Sequence, residues 1–415
     1  HRPFASIARF AQSGGLSPLA VVCFGYLRAM AGQRPHFFDL TPEQLGDVIE
    51  ALGMARFRAT QVLDWVYRKA VADPRAMTNL SVRDREALSE HVDFVLGGIL
   101  RHERATDGTQ KLLVDWAVDA ASVPGSAGAD LGTEADSAGG LRVLSNPTGG
   151  GTQTQTECVM IPATSEASGK ARQTACVSSQ VGCPVGCKFC ASGMGGLDGN
   201  LSAGQIVQQV WQLARLPGVG RISNVVFMGM GEPMSNFPRV VKAAKTMSAD
   251  WGLGISGRKI TISTVGVPGP MRRLADEDLP YTLAISLHAP NDDIRRQIIP
   301  WADRVTVDEL IDAGRYYFDK TGREITLEYI LLSGVNDRPE HARELAAVSK
   351  RLRSNINLIR YNEVAGLPFA RPRNEDVHRF QQVLRDAGRV VHIRASRGRD
   401  IAAACGQLRH EQSKC

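Results

Sequence analysis

The sequence predicts an α/β protein: a parallel sheet with crossover helices, preceded by a small helical unit and a hairpin that carries a long insertion. Three observations carry that expectation. From Thr174 onward, segments rich in β-branched residues alternate with amphipathic ones, the mark of parallel strands joined by helices. Between residues 40 and 100 the apolar residues recur at helical spacing instead. Residues 121–156 are rich in Gly, Ser, Thr and Ala and too poor in apolar surface to fold alone.

Residues 1–36 read as an extension. Arg2, Arg9, Arg28 and Arg34 precede the first acidic residue, Asp39, and Leu16 to Leu27 is largely apolar. Ala29-Met30-Ala31 imitates a signal-peptidase site, so a targeting peptide, organellar targeting included, and a dispensable extension both stay open. The second is favoured, because the thiol cluster described below suits an oxidising compartment badly. Residues 37–100 form the helical unit. Thr41-Pro42-Glu43-Gln44 supplies an N-cap, a first-turn proline and a capping Gln. Leu45, Val48, Ile49 and Leu52 make one apolar stripe; Phe57, Val62, Leu63 and Val66 belong to a second helix, and Ser81 caps a third. Arg56, Arg58, Arg68, Lys69, Arg83 and Arg85 make the unit basic, although for any one of them a solvated helix face is the simpler reading.

Residues 101–165 form the hairpin, with strands at 111–118 and 157–162 and a disordered insertion at 121–156. Residues 166–410 form the core. Strands are expected at 174–182, 224–231, 258–266, 283–290, 325–334, 355–362 and 389–396, and helices at 202–216, 237–250, 306–320, 338–352 and 374–387. Some six such units make a partial (β/α)6 barrel, whose chemistry sits at the carboxyl ends of its strands.

Composition excludes several classes. At roughly 100–200 residues per domain, 415 residues imply two or three domains. A hydrophobic share of 43% excludes wholesale disorder. No apolar run approaches the ~20 residues of a spanning helix, which excludes a helical integral membrane protein. The net charge of +6 permits an anionic partner such as RNA without demanding one.

Three of the eight cysteines, Cys183, Cys187 and Cys190, fall within eight positions on the loop after the first barrel strand. A cluster this tight in a long chain reads as metal binding in a reducing compartment, not as a disulfide framework. Three thiolates ligate three irons of a 4Fe–4S cube and leave the fourth open. A structural zinc site needs a fourth ligand, and the nearest candidate, Cys176, lies seven residues upstream within a strand. Met228-Gly229-Met230-Gly231-Glu232-Pro233 ends the second barrel strand. Its glycines let the backbone approach a ligand, and Glu232 can accept hydrogen bonds from an ammonium group.

The cysteine loop and Gly-Met-Gly-Glu-Pro together resemble the radical S-adenosylmethionine (SAM) superfamily. More narrowly, Cys176-Val-Ser-Ser-Gln-Val-Gly-Cys183, Ala284-Ile-Ser-Leu-His-Ala-Pro290 and Ala404-Cys405-Gly-Gln-Leu408 resemble the RlmN/Cfr family of RNA adenosine methyltransferases, over about residues 37–410. Carbon 2 of adenine lies between two ring nitrogens and is too electron-poor to attack the methyl of SAM as an amine would. The resemblance implies that the methyl is carried on a protein cysteine, Cys405, and activated as a radical. It implies two SAM per turnover, one to methylate Cys405 and one, on the open iron, to supply the radical. It also implies Cys176 as the resolving cysteine that attacks Cys405 to leave a transient disulfide, and Glu157 as the proton acceptor. Cys183, Cys187 and Cys190 become the 4Fe–4S ligands. Gly231, Glu232, Ser263, Ser286, Leu287, His288 and Asn362 become SAM contacts. Read alone, His288 would be a satisfied structural histidine and Glu157 a solvated strand-edge residue. Cys23, Cys158 and Cys415 match nothing, and the 121–156 insertion is longer than the family's hairpin.

The implied substrate is an adenine of the peptidyl-transferase region of 23S rRNA and, in some members, the adenine beside a tRNA anticodon, extruded from its stack. Arg394, Arg397 and Arg399 are candidates for phosphates near that base, with a solvated basic tail as the alternative. An electron donor such as flavodoxin or ferredoxin, a cytoplasmic location, no membrane and a monomeric chain complete the expectation. Cfr-type methylation of carbon 8 shares the cluster and both cysteines, but the stretch from Ala191 to Ile206 looks closer to RlmN and favours carbon 2. Two rivals remain: a radical SAM activase or peptide-modifying enzyme would not need Cys176 and Cys405 together. A non-catalytic iron–sulfur RNA-binding module would not need the SAM motifs.

Overall fold

The computed structural model describes residues 34–116, 154–164 and 171–408. Most of the extension expected at 1–36 and of the insertion expected at 121–156, with Cys23 and Cys415, lies outside them. Gln155 and Thr156, expected in the insertion, belong instead to a strand, because they pair with Asp115 and Val114. The chain divides into two compact units between Leu96 and Gly97.

In the first unit, α1 (Pro42–Ala51) starts with a full capping box. The Gln44 N–H donates to the Thr41 hydroxyl at 3.3 Å, and the Thr41 N–H donates to the Gln44 side chain at 3.0 Å. Two donors left over by the first helical turn are thereby satisfied. α2 (Arg58–Leu63) follows, and α3 (Val82–His91) is capped by Ser81. Leu45, Ile49, Val62, Val66 and Leu88 are buried together with Phe37 and Phe94, whose rings stack at 5.1 Å. Much of the expected basic surface is neutralised locally. Arg56 holds Asp47 and Glu50 at 2.7 Å each, while Lys69 lies over the Trp65 ring.

The second unit begins with β1 (Gly98–Arg104), β2 (Gln110–Asp115), β3 (Gln155–Thr164) and β4 (Ala171–Cys176), which are antiparallel neighbours. β5 (Gln180–Gly182) and β6 (Leu197–Asn200) form a separate two-stranded ladder around the cysteine loop. The main sheet continues from β4 through β7 (Asn224–Phe227), β8 (Ile260–Thr264), β9 (Thr282–Ser286), β10 (Ile325–Leu331), β11 (Ser354–Arg360) and β12 (Val391–Arg394), all parallel. Six crossovers join the parallel strands, using α4 (Ala203–Ala214), α5 (Phe237–Ser248), α6 (Pro268–Asp276), α7 (Asp292–Ile298) with α8 (Val307–Thr321), α9 (Pro339–Lys350) and α10 (Asn374–Asp386). Among the described residues no ladder joins β12 back to β1, so the sheet is an open, partial barrel. No helix among them is long and apolar enough to cross a membrane.

The structure departs from the sequence expectation at several elements: α7 and β6 were not expected, and the second barrel strand ends at Phe227. The first barrel strand does not run through to residue 182. It stops at Cys176, because the Ser178 N–H turns to the Gln209 side chain and the Ser179 N–H to the Met230 carbonyl. α6 was not expected, because Pro268-Gly269-Pro270 reads as loop; its prolines instead occupy the first helical turn, where no N–H is needed. β1 was hidden by its charged run Arg101-His102-Glu103-Arg104, a composition suited to the edge of a sheet.

Candidate active site

The cysteine loop is fastened at both ends. The Cys183 N–H donates to the Gly196 carbonyl at 2.7 Å, and the Lys188 N–H donates to the Ile298 carbonyl at 3.0 Å. Its three thiols pack against an apolar floor that includes Val185, Phe189, Val265, Ile298, Ile330 and Tyr361. Burial pushes the Cys183 thiol up to about 12 and raises Cys187 and Cys190 too, while backbone N–H groups of Val185 and Gly186 partly offset the rise at Cys183. Such thiols ionise when a metal centre balances their charge. Among the described residues no three His, Cys, Asp or Glu side chains gather for a single metal ion. Cys176, the candidate for a closed zinc shell, packs elsewhere, with Met230, Ala403 and Leu408. Three thiols on one half-buried loop, with Cys176 packed elsewhere, fit a 4Fe–4S cube that keeps one iron open.

The expected SAM contacts line up at the carboxyl ends of β7, β8, β9 and β11. The Gly229 and Gly231 backbone lies so close to residues 177–180 that a Cβ at Gly231, where φ is +100°, would come within 2.7 Å of Gln180. What these glycines visibly permit is chain against chain, and not only chain against ligand. Glu232 is buried, and its carboxylate accepts the Met234 N–H at 2.9 Å and the Val265 N–H at 2.8 Å. Burial pushes this carboxyl up and those bonds draw it back. The hydroxyls of Ser263 and Ser286 lie 3.4 Å apart on adjacent strands. The Leu287 N–H donates to the Glu328 carbonyl at 3.1 Å. His288 adopts φ +58° and accepts the Ile330 N–H on Nδ1, so its proton sits on Nε2. Burial and Arg295 push its imidazole down to about 3, which keeps it neutral. Asn362 donates to the Cys405 carbonyl at 3.4 Å. Two buried atoms here make no hydrogen bond, Ser179 Oγ beside Gly231 and Glu328 Oε2, leaving polar capacity for a ligand such as SAM.

Cys405 and Cys176 are 229 positions apart in sequence, yet Cys176 feels the charge of Cys405, and Arg394 lies beside both. Burial pushes Cys176 up to about 12 and raises Cys405, while Arg394 draws both down. The segment carrying Cys405 is tied to the rest of the unit by hydrogen bonds. The Ala191 N–H and the Ser192 hydroxyl donate to the Gly406 and Leu408 carbonyls, and Asp107 and Asp400 accept the N–H groups of Gly398 and Thr106. Arg394 therefore faces the thiols, contacting Met228 Sδ at 3.2 Å. Arg397 lies 4.0 Å from Asp107, and Arg399 is exposed. Glu157 is on β3, its N–H on Met230 Sδ and its carbonyl accepting from Ser178, so it adjoins the Cys176 cluster through Met230. Its carboxylate meets Lys111 at 2.8 Å.

Sequence reasoning missed Lys111 and Arg295. The fully buried Arg295 guanidinium donates to the carbonyls of Leu287, Val265 and Val305 and so ties together the ends of β8 and β9. Nothing in local spacing marks either residue, because their partners belong to other strands and loops.

Residues 177–346 match the radical SAM superfamily, and residues 36–93 match the ribosomal RNA large subunit methyltransferase N-terminal domain. A probable dual-specificity RNA methyltransferase RlmN of Symbiobacterium thermophilum is 40% identical across 97% of this chain and 98% of its own. The dual-specificity RNA methyltransferase RlmN of Dichelobacter nodosus is 38% identical, across 91% and 94%. A crystal structure of a radical SAM methyltransferase from Sphaerobacter thermophilus superimposes with a TM-score of 0.77 at 37% identity, covering 91% of this chain and 100% of that one. These relatives do not favour the Cfr-type alternative, and they set aside the activase and the non-catalytic module. With both units matched and the similarity running through the cysteine loop, the chain belongs to the RlmN family of radical SAM RNA methyltransferases.

Proposed function

We propose that this chain methylates carbon 2 of an adenine in the peptidyl-transferase region of 23S rRNA and the adenine beside a tRNA anticodon, working as a cytoplasmic monomer. The observation that carries this reading is the meeting of Cys176 and Cys405 beside Arg394, with Cys405 also within electrostatic reach of Cys190 on the cysteine loop. Cys183, Cys187 and Cys190 hold the 4Fe–4S cluster; Gly231, Glu232, Ser263, Ser286, Leu287, His288 and Asn362 hold SAM. When bound, the cluster and two SAM per turnover, with an electron donor such as flavodoxin or ferredoxin, supply the methyl group and the radical chemistry that an unreactive ring carbon demands. Cys405 carries the carbon and joins it to the base. Glu157 takes the proton from the ring carbon. Cys176 then attacks the Cys405 sulfur: the S–S bond forms, the S–C bond breaks, and the released carbon keeps the electron pair and takes a proton to become the methyl.

Cys176→Ala tests this directly. The variant should purify with RNA covalently joined to Cys405, whereas Cys405→Ala should transfer no carbon at all. Nucleoside analysis of wild-type product should show 2-methyladenosine. Normal turnover by Cys176→Ala without an adduct would sink the covalent reading, and 8-methyladenosine would move the target carbon.

A further inference from the structure

β1, β2 and β3 lie side by side, and their register sets three charged side chains on one face. Glu103 is directly opposite Lys111, and Glu157 lies two positions along β3 from Val159, the other cross-strand partner of Lys111. The Lys111 ammonium is 2.8 Å from Glu157 Oε1 and 3.0 Å from Glu103 Oε2. The side chains of Lys111 and Glu157 are each 8% exposed, against 27% for Glu103. Burial alone would push the ammonium down, but Glu157 and Glu103 together more than reverse that, so Lys111 stays charged.

The row carries two negative charges around one positive charge. In an isolated buried Lys–Glu pair, protonating the Glu would strand an ammonium without a counter-charge, which is strongly unfavourable. Here a proton arriving on Glu157 leaves Lys111 still paired with Glu103, and the row goes from net −1 to neutral. We propose that Lys111 is the positioning residue that keeps Glu157 ionised and aimed, and that Glu103 is the reserve carboxylate that lets Glu157 accept a proton without stranding Lys111. This rests on the reading of Glu157 as proton acceptor.

The neighbouring thiols and helix α4 do not compete for that role. Cys158 on its own strand and Cys176 on β4 are thiols raised by burial and therefore neutral near pH 7. α4, which packs on β3, brings glutamines and no charged side chain.

The test is an infrared titration of the Glu157 carboxyl in the full-length protein, assigned by difference against Glu157→Gln. Lys111→Met should raise the midpoint by a pH unit or more, about tenfold in proton affinity. Glu103→Gln should lower it, since Lys111 then has Glu157 alone, and Lys111→Arg should restore it. In turnover one pH unit below its raised midpoint, Lys111→Met should be slowed about tenfold, keep S-methylation of Cys405 and accumulate the RNA-linked protein. Midpoints unmoved by both Lys111→Met and Glu103→Gln overturn the inference; Glu103→Gln and Lys111→Arg keep it testable if Lys111→Met fails to fold. If Glu157→Gln turns over normally, the reading of Glu157 fails instead, and the titration still reports on Lys111 separately.

Discussion

A guanidinium beside a buried and a half-buried thiol lowers the cost of ionising them, and Arg394 lies beside both Cys176 and Cys405. Burial works against ionisation at each thiol, and Arg394 is the largest charge opposing it at both; Glu328 adds a negative charge near Cys405. Removing the guanidinium should therefore leave both thiols more fully protonated. Peptide-resolved alkylation at pH 8 should be roughly three- to tenfold slower at Cys405 in Arg394→Gln than in the parent. Rates that are unchanged at Cys405 would show that Arg394 acts only through packing on Met228. The same residue shows the limit of reading side chains singly. By composition Arg394, Arg397 and Arg399 are equivalent candidates for phosphate contact, yet strand β12 turns the first inward, and Asp107 engages the second.

At the scale of elements, β2 and β3 meet without help from what lies between them. Asp115 pairs with Gln155, and the Trp116 N–H donates to the Thr154 carbonyl at 3.2 Å. The strand ends are thus close enough for a short turn. Replacing Ser122 to Gly151 by a few glycines should shift the melting temperature by no more than about 2 °C, because lengthening or shortening a loop changes closure entropy only slowly. A larger loss, measured calorimetrically, would mean the insertion contributes packing that its composition does not suggest. The pairing of β2 with β3 as a hairpin was readable from sequence, since two apolar segments flank a Gly/Ser/Thr/Ala tract. β1 was not readable, because pairing with β2 and not its own alternation makes it a strand.

For the whole molecule, the decisive property is that residues at the ends of β8, β9, β10 and β11 gather around one cysteine loop. Anaerobically reconstituted protein should hold about four irons. Cys183→Ala, Cys187→Ala and Cys190→Ala should each abolish SAM cleavage, whereas Cys158→Ala, on β3 and buried away from that loop, should retain it. Stoichiometric zinc with no iron would overturn the cluster assignment.

The alternation of strands and helices, the capped starts of α1 and α3 and the cysteine spacing were all legible in the sequence, because each is a local property with a period or a fixed offset. The motifs at the ends of β7, β8, β9 and β11 were legible by resemblance. What only the tertiary structure decided is which distant groups meet. Lys111 is shared between Glu103 and Glu157 because three strands set its register. Arg295 binds carbonyls from three separate loops, and Cys405 is held by Asn362 and the cysteine loop rather than left free. Buried charges and buried polar atoms must find partners wherever the fold brings them. Those partners lie tens to hundreds of residues away, beyond the reach of any pattern read along the chain.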